Sequence, residues 1–373
     1  MNVEKLHRIL KEIQSEYNKN NILEKMRAVR NYLQYQVNQP QVPEHQQNLV
    51  NSIKVLYEIL TNAPSNNFSP GWKQIIEEIG LNEILGITLK NKIENIFSRN
   101  QITPTVALKE INQIVSEIEE KKFAIDNAIK SFNILKISSD ELQEGQCELG
   151  YTIPRIAVEN KLSALNKEIS ELNFILNHIT EAVTGQKQEL EIRTISSSDY
   201  LLYVVIGLKV AYVLSYIIER IINNYKRILE IKSLRNQLKS KGVPEENTKG
   251  IEEYANTQMK EEIEKIAQEI VNQNYKGTDP HRKNELINGV IISLNKIANR
   301  IDRGFNIEIR VEPIPEPKKG EQVPEDIQRN IQMIIAIKER EKTLEFTKTS
   351  GPPILQLEES KEAGEKIDNN ADK

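Results

Sequence analysis

Apolar residues recur at alternating steps of four and three along one stretch in the middle of the chain. They are Val158, Leu162, Leu165, Ile169, Leu172, Leu176, Ile179 and Val183. This spacing, kept over nearly four heptads, predicts one long helix with a narrow apolar seam. Such a seam has to be covered by another helix, in the same chain or in a second copy. We therefore predict that these residues bind a partner helix.

A second long helix is predicted to begin at Pro104. Thr103-Pro104 is a helix-start signal, because proline is well tolerated at the first helical position. The apolar residues that follow keep the same spacing, apart from an interruption at Lys122. We expect the two long helices to form an antiparallel, coiled-coil-like hairpin over 104–184, in which each seam fills the other.

Three shorter stretches alternate apolar and polar residues, which is the period of a half-buried strand. The weakest of the three covers 190–195. The apolar positions of the two clearer stretches are Cys147, Leu149, Tyr151, Ile153, Phe305, Ile307, Ile309 and Val311. Because a lone strand is unstable, we predict that the stretches pair into a small sheet capping one end of a helical bundle.

The most apolar run of the chain, 200–218, contains one charged residue, Lys209. Its length makes it a candidate for a membrane-spanning helix, but a lysine near the middle of a span costs about 2.5–3.5 kcal/mol. We favour a helix over 200–240 that is buried in the bundle, with conditional insertion or a permanent span as alternatives. Gly207, Ala211 and Ser215 fall four residues apart and give this helix a small-residue stripe, which we expect to bind a second helix.

Helix breakers and shifts in composition divide the chain into five predicted regions. These are an N-terminal helical domain (1–100), a long-helix bundle with a small β element (101–312), a proline-rich charged linker (313–326), a C-terminal helix (327–346) and a disordered tail (347–373). The predicted fold class is mainly α: an elongated helical bundle built on the long hairpin, with a small capping sheet.

Composition agrees with packed helices and narrows the class of protein. Hydrophobic residues make up 38% of the chain but aromatic residues only 5%, which is typical of long packed helices. A net charge of −4 excludes an electrostatic nucleic-acid binder that uses the whole chain. Cys147 is the single cysteine, and the first residues lack the apolar core of a secretory signal. We therefore expect a cytoplasmic protein.

Motifs that carry chemistry are nearly all missing from the sequence. There is no dinucleotide-binding glycine fingerprint, G-x-S-x-G, H-E-x-x-H or EF-hand loop. Gly145 and Gly150 have the spacing of a phosphate-binding loop, but the lysine that such a loop needs is replaced by Tyr151. His178 and Cys147 lack neighbours that would make them a ligand or a nucleophile. We predict no catalytic residue, no cofactor, no metal site and no small-molecule substrate.

Long seams combined with missing motifs favour a non-enzymatic structural or protein-interaction protein. We expect it to self-associate through its helical seams, as a homo-oligomer or with another helical protein. One alternative is a pore-former-like bundle that inserts 200–218 into a membrane under some conditions. A weaker alternative is an adaptor that contacts nucleic acid through 226–241, where six Lys/Arg stand against one Glu, although a solvated helix face explains that stretch as well.

Overall fold

The computed structural model describes residues 2–196, 200–244, 249–315, 324–344 and 353–360. They form two compact units, Met1–Leu142 (unit 1) and Gln143–Lys373 (unit 2). Helices make up unit 1, whereas unit 2 combines helices with a four-stranded antiparallel sheet. The predicted fold class, mainly α with a small sheet, is confirmed. The first unit ends at Leu142 and includes the long helix that begins at Pro104, which packs against the helices before it.

Unit 1 is built from amphipathic helices around one apolar core. The helices are α1 (Val3–Asn20), α2 (Ile22–Asn38), α3 (Pro43–Thr61), α4 (Pro70–Glu78), α5 (Gly86–Arg99) and α6 (Pro104–Ile134). The longest of them, α6, packs against α1, α2 and α5. Its seam residues Ile111, Val115 and Ile118 are buried in that core. The seam of α6 is therefore filled by helices of its own unit.

The chain turns between α1 and α2 at Asn21, where periodicity alone predicts one helix. Asn21 has φ 50° and ψ 42°, a left-handed conformation that asparagine tolerates better than most residues. Its N–H donates to the carbonyl oxygen of Tyr17 and ends α1, and α2 begins at the next residue. Both helices can then pack against α6.

Unit 2 places its helices against one face of a small sheet. Its helices are α7 (Arg155–Val158), α8 (Leu162–Thr184), α9 (Leu208–Ser240), α10 (Lys249–Asn274), α11 (Pro280–Asp302) and α12 (Glu325–Thr343). Its strands are β1 (Cys147–Ile153), β2 (Glu191–Ser196), β3 (Tyr200–Ile206) and β4 (Asn306–Val311). The strand order is β2-β3-β1-β4, with antiparallel pairing throughout.

All three stretches with strand periodicity form strands, as predicted. A fourth strand lies where the sequence predicted the beginning of the helix over 200–240. Residues 200–206 are β3, paired with β1 on one side and β2 on the other, so the predicted helix over 200–240 begins only at Leu208. A continuous apolar run fits a buried strand as well as a helix, and the two neighbouring strands decide between them. Among the described residues, no helix is long and apolar enough to cross a membrane.

The predicted 158–183 helix is shorter than its apolar spacing suggests. Val158 ends α7, and Glu159 and Asn160 are both left-handed (φ 49° and 54°), so the helical part of the seam begins at Leu162, which is 81% exposed. Leu165 and Ile169 are half-buried, and Leu172, Leu176, Ile179 and Val183 are buried. Because α8 packs against α9, α10 and α11, the buried residues of its seam are part of the core of unit 2.

The last predicted regions are described only in part. The C-terminal helix, α12, begins at Glu325, and residues 316–323 of the predicted linker lie outside the described residues. Within the predicted tail, the structure describes residues 353–360, of which Ile354, Leu355 and Leu357 are buried in the core of unit 2. The remaining tail residues, 347–352 and 361–373, also lie outside the described part of the chain.

Candidate functional site

The C-terminal segment, defined here as Pro353–Ser360, is bound to unit 2 by side chains that contact its main chain. Four residues make these contacts and are called the clasp residues: Asn256 of α10, and Asn295, Asn299 and Asp302 of α11. The three on α11 follow at steps of four and three, which puts them on one face of the helix.

Asp302 anchors the beginning of the segment. One oxygen of its carboxylate accepts hydrogen bonds from the main-chain N–H groups of Ile354 (2.5 Å) and Leu355 (2.7 Å). The other oxygen accepts the hydroxyl hydrogen of Tyr225 at 2.5 Å, and Asp302 itself is 1% exposed. Burial, reinforced by the hydrogen bond to Asp302, raises the pKa of Tyr225, so the hydroxyl stays a donor at neutral pH.

Two side-chain amides bond the main chain of the segment in both directions. The amide nitrogen of Asn299 donates to the carbonyl oxygen of Leu357 (2.9 Å), and its oxygen accepts the N–H of the same residue (3.1 Å). Asn256 accepts the N–H of Gln356 (2.7 Å) and donates to the carbonyl oxygen of Ile354 (3.1 Å). Each amide side chain thus offers one hydrogen-bond donor and one acceptor to the main chain of the segment, as a residue of a neighbouring β-strand would.

The spacing of the contacts shows that the segment is extended. Asp302 and Asn295 are seven residues apart on α11, a rise of about 10 Å. Their partners, Leu355 and Glu358, are three residues apart, and three residues reach about 10 Å only when the chain is almost straight. The segment therefore runs along α11 as an extended peptide.

An ion-pair network fixes the end of the segment at Glu359. Its carboxylate accepts a hydrogen bond from Asn299 (2.9 Å) and lies 3.3 Å from the Arg300 guanidinium and 3.7 Å from Lys296 Nζ. Arg300 is 1% exposed and also pairs with Glu168 of α8 at 2.8 Å. Burial by itself would raise the pKa of Glu359, but the Asn299 hydrogen bond and the two positive charges outweigh it and hold the pKa below its ordinary value.

These contacts define what the site can recognise. Hydrogen bonds with the main chain form whatever the side chains of the segment are. The buried positions Ile354, Leu355 and Leu357, by contrast, favour apolar residues. Glu359, two positions after Leu357, carries a negative charge that lies beside Arg300 and Lys296. Main-chain hydrogen bonds combined with side-chain pockets are the general mode by which proteins bind extended peptides.

A second polar cluster lies on the sheet, on the face opposite Cys147, Leu149 and Tyr151. Glu148 of β1 is fully buried and pairs with Arg310 of β4 and Arg193 of β2, each at 2.6 Å. Arg193 lies where the register of the β2–β3 pairing shifts, between Ile192 and Thr194. Such an irregularity changes the direction in which a side chain points, and the Arg193 side chain reaches Glu148. These charges link β2, β1 and β4 across the sheet.

Cys147 is buried, and the side chains of His178 and Lys209 form hydrogen bonds with main-chain carbonyl groups. Burial raises the pKa of Cys147 to about 12, so its thiol is not ionised at neutral pH. His178 bonds the carbonyl oxygen of Phe174 at 2.8 Å within α8. Lys209 donates to the carbonyl oxygen of Val183 at 2.8 Å in the last turn of α8, where a positive charge is favourable. Among the described residues, no group of three or more His, Cys, Asp or Glu could hold a metal ion.

One residue of the predicted small-residue stripe, Ser215, contacts a helix of the same unit. Ala211 and Ser215 are buried on α9, and Gly207 precedes that helix. Arg340 of α12 donates to the hydroxyl of Ser215 and to the carbonyl oxygen of Tyr212, both at 3.1 Å. The basic stretch 226–241 lies on the second half of α9, apart from its last residue.

The clasp residues were missed because no sequence motif marks them. Two signals were available: polar residues at steps of four and three on α11, and three apolar residues within the charged tail. Neither shows that the two features meet. Comparison with protein-family models, with curated proteins and with solved structures gives no match, so the site has to be understood from its own geometry.

Proposed function

We propose that the protein is a non-enzymatic interaction protein in which the clasp residues of unit 2 bind an extended peptide segment. The observation that supports this proposal is the set of hydrogen bonds with the main chain of the C-terminal segment. Asp302 accepts two, Asn256 and Asn299 each accept one and donate one, and Asn295 donates one. Hydrogen bonds with the main chain of an extended segment support peptide binding as the function, because they do not depend on the side chains of that segment.

The bound segment also supports a proposal for the chemistry of the ligand. It reads Ile-Leu-Gln-Leu-Glu-Glu over 354–359. The ligand class is then an extended peptide with apolar residues at the first, second and fourth positions and an acidic residue at the sixth. A cytoplasmic location agrees with a chain whose single cysteine, Cys147, is free and buried.

The proposal is tested by supplying the segment as a separate peptide. In the full-length chain, Leu355→Asp and Leu357→Asp together remove two buried apolar contacts and free the site of its own segment. Fluorescence anisotropy then measures the binding of a labelled peptide of residues 353–360. We expect saturable binding to this variant. Binding to the wild-type chain should be at least about tenfold weaker, because a tethered segment competes at an effective concentration in the millimolar range.

Matched controls separate specific binding from adhesion to exposed apolar surface. Gln356→Ala in the labelled peptide changes a side chain that is exposed in the bound segment and should leave the affinity unchanged. A Glu359→Lys peptide meets Arg300 and Lys296 with the wrong charge and should bind much more weakly. If the tail variant keeps the wild-type circular dichroism spectrum and still fails to bind the unmodified peptide, the proposed function is wrong.

A further inference from the structure

We infer that the C-terminal segment is exchanged between two copies of this chain, so that each copy's clasp residues bind the segment of the other. This inference rests on the proposed function, since it names a partner for the same site. The partner is a second copy of the chain, and the exchanged element is residues 353–360.

The tether to the segment, residues 345–352, is eight residues long. The last described residue before it, Leu344, is buried at the end of α12, and its N–H donates to the carbonyl oxygens of Arg340 and Glu341. Residues 345–352 join Leu344 to Pro353, and a chain of this length reaches about 30 Å when extended. Tethers of this kind, between a fixed helix and an independently bound segment, permit the exchange of identical elements between copies.

The contacts that bind the segment do not depend on which chain supplies it. Among the described residues, the side chains that form hydrogen bonds or ion pairs with it belong to α10 and α11: Asn256, Asn295, Lys296, Asn299, Arg300 and Asp302. A segment from a second copy therefore makes the same hydrogen bonds, buries the same apolar side chains and forms the same ion pairs.

A second copy fits the site better than an unrelated peptide does. A foreign peptide displaces the chain's own segment and leaves Ile354, Leu355 and Leu357 exposed to water, which is unfavourable. Reciprocal exchange leaves no segment unbound and no site empty, and it gives a closed two-fold dimer. Each chain carries one segment and one set of clasp residues, which is the stoichiometry that such a dimer needs.

Complementation between two defective full-length chains tests the exchange. The tail variant (Leu355→Asp, Leu357→Asp) keeps its clasp residues but has a defective segment. The clasp variant (Asn256→Ala, Asn299→Ala) keeps its segment, and it also keeps Asp302, which holds Tyr225 as well. Light scattering and native mass spectrometry should show each variant alone as a monomer and their mixture as a 1:1 complex. Wild-type chains should form dimers in increasing amount as concentration rises, and Gln356→Ala should behave as wild type.

The outcomes distinguish failure of the exchange from failure of the proposed function. If the mixture stays monomeric while the free 353–360 peptide binds the tail variant, the segment is bound only within its own chain and the exchange is wrong. If the peptide does not bind either, the proposed function fails as well. Wild-type chains that remain monomeric at millimolar concentration also overturn the exchange, because that concentration matches the effective concentration of the tether.

Discussion

At the scale of single residues, a few polar side chains on α11 decide how the end of the chain is held. Asn299 and Asp302 lie beside the apolar residues Ile297 and Ile301, on a helix whose last turns are almost completely buried. A buried polar group is unfavourable without a hydrogen-bond partner, and here the main chain of the C-terminal segment provides it. Side chains and segment therefore stabilise each other.

The depressed pKa of Glu359 predicts that attachment of the segment weakens in acid. Because the folded-state pKa lies below the ordinary value of 4.5, the stabilisation is complete above that value and is lost as the pH falls through the folded-state pKa. The groups around this carboxylate are Lys296, Arg300 and, beyond them, Glu168 and Glu171 of α8. Hydrogen exchange of the amides of the segment, measured between pH 7 and pH 3, should show protection falling below about pH 4.5.

The variant Glu359→Gln separates this carboxylate from its neighbours. The amide can still accept a hydrogen bond from Asn299 but carries no charge for Arg300 and Lys296. We expect lower protection of the segment at pH 7 and a smaller loss on acidification than in the wild-type chain. An acid response equal to that of the wild-type chain would contradict this role of the Glu359 carboxylate.

At the scale of elements, the sheet depends on one residue without a side chain. Gly150 of β1 is paired with Tyr203 of β3 on one side and with Glu308 of β4 on the other. The Tyr203 hydroxyl donates to the Glu308 carboxylate at 3.0 Å. A Cβ atom at position 150 would lie 2.7 Å from a Tyr203 ring carbon and 2.8 Å from Glu308 Cγ. The cross-strand hydrogen bond therefore needs glycine between its partners.

Gly150→Ala should accordingly destabilise unit 2. We expect a loss of about 1–3 kcal/mol, as found for overpacking of a tightly filled site, measured by urea unfolding followed by circular dichroism. The matched control is Gly207→Ala, since a Cβ added there meets nothing within 4 Å and its backbone is not in the left-handed region. Equal unfolding midpoints for the two variants would contradict the close approach at Gly150.

At the scale of the whole molecule, the two units have separate apolar cores. The core of unit 1 includes Ile9, Leu56, Trp72, Leu89 and Ile118, and all of its members lie before residue 143. Its longest helix, α6, packs within that unit although its sequence pattern resembles that of α8. A unit whose core is complete within one continuous stretch of chain contains what it needs to fold.

We predict that a fragment of residues 1–142 folds by itself. It should unfold cooperatively in urea, and the emission of buried Trp72, the single tryptophan, should match that of the full-length chain. Two residues of α6 provide a matched pair: Ile118→Ala, at a fully buried position, should cost about 2–5 kcal/mol. Phe123→Ala, at a side chain that is 69% exposed, should change stability by about 0.5 kcal/mol or less. A fragment without cooperative unfolding would show that unit 1 depends on the rest of the chain.

The sequence alone determined most helices and strands, because their periods of 3.6 and 2 residues appear in the spacing of residues that are close together in the chain. The start signal Thr103-Pro104 precedes α6, and the alternation at 147–153 and 306–311 forms strands. Only the tertiary structure decided which surfaces meet: the helices that fill each seam, the partners that make 200–206 a strand, and the clasp that binds 353–360. These pairings depend on contacts between residues that are far apart in the chain. The spacing of apolar or amide residues along the sequence does not identify the residues that they contact.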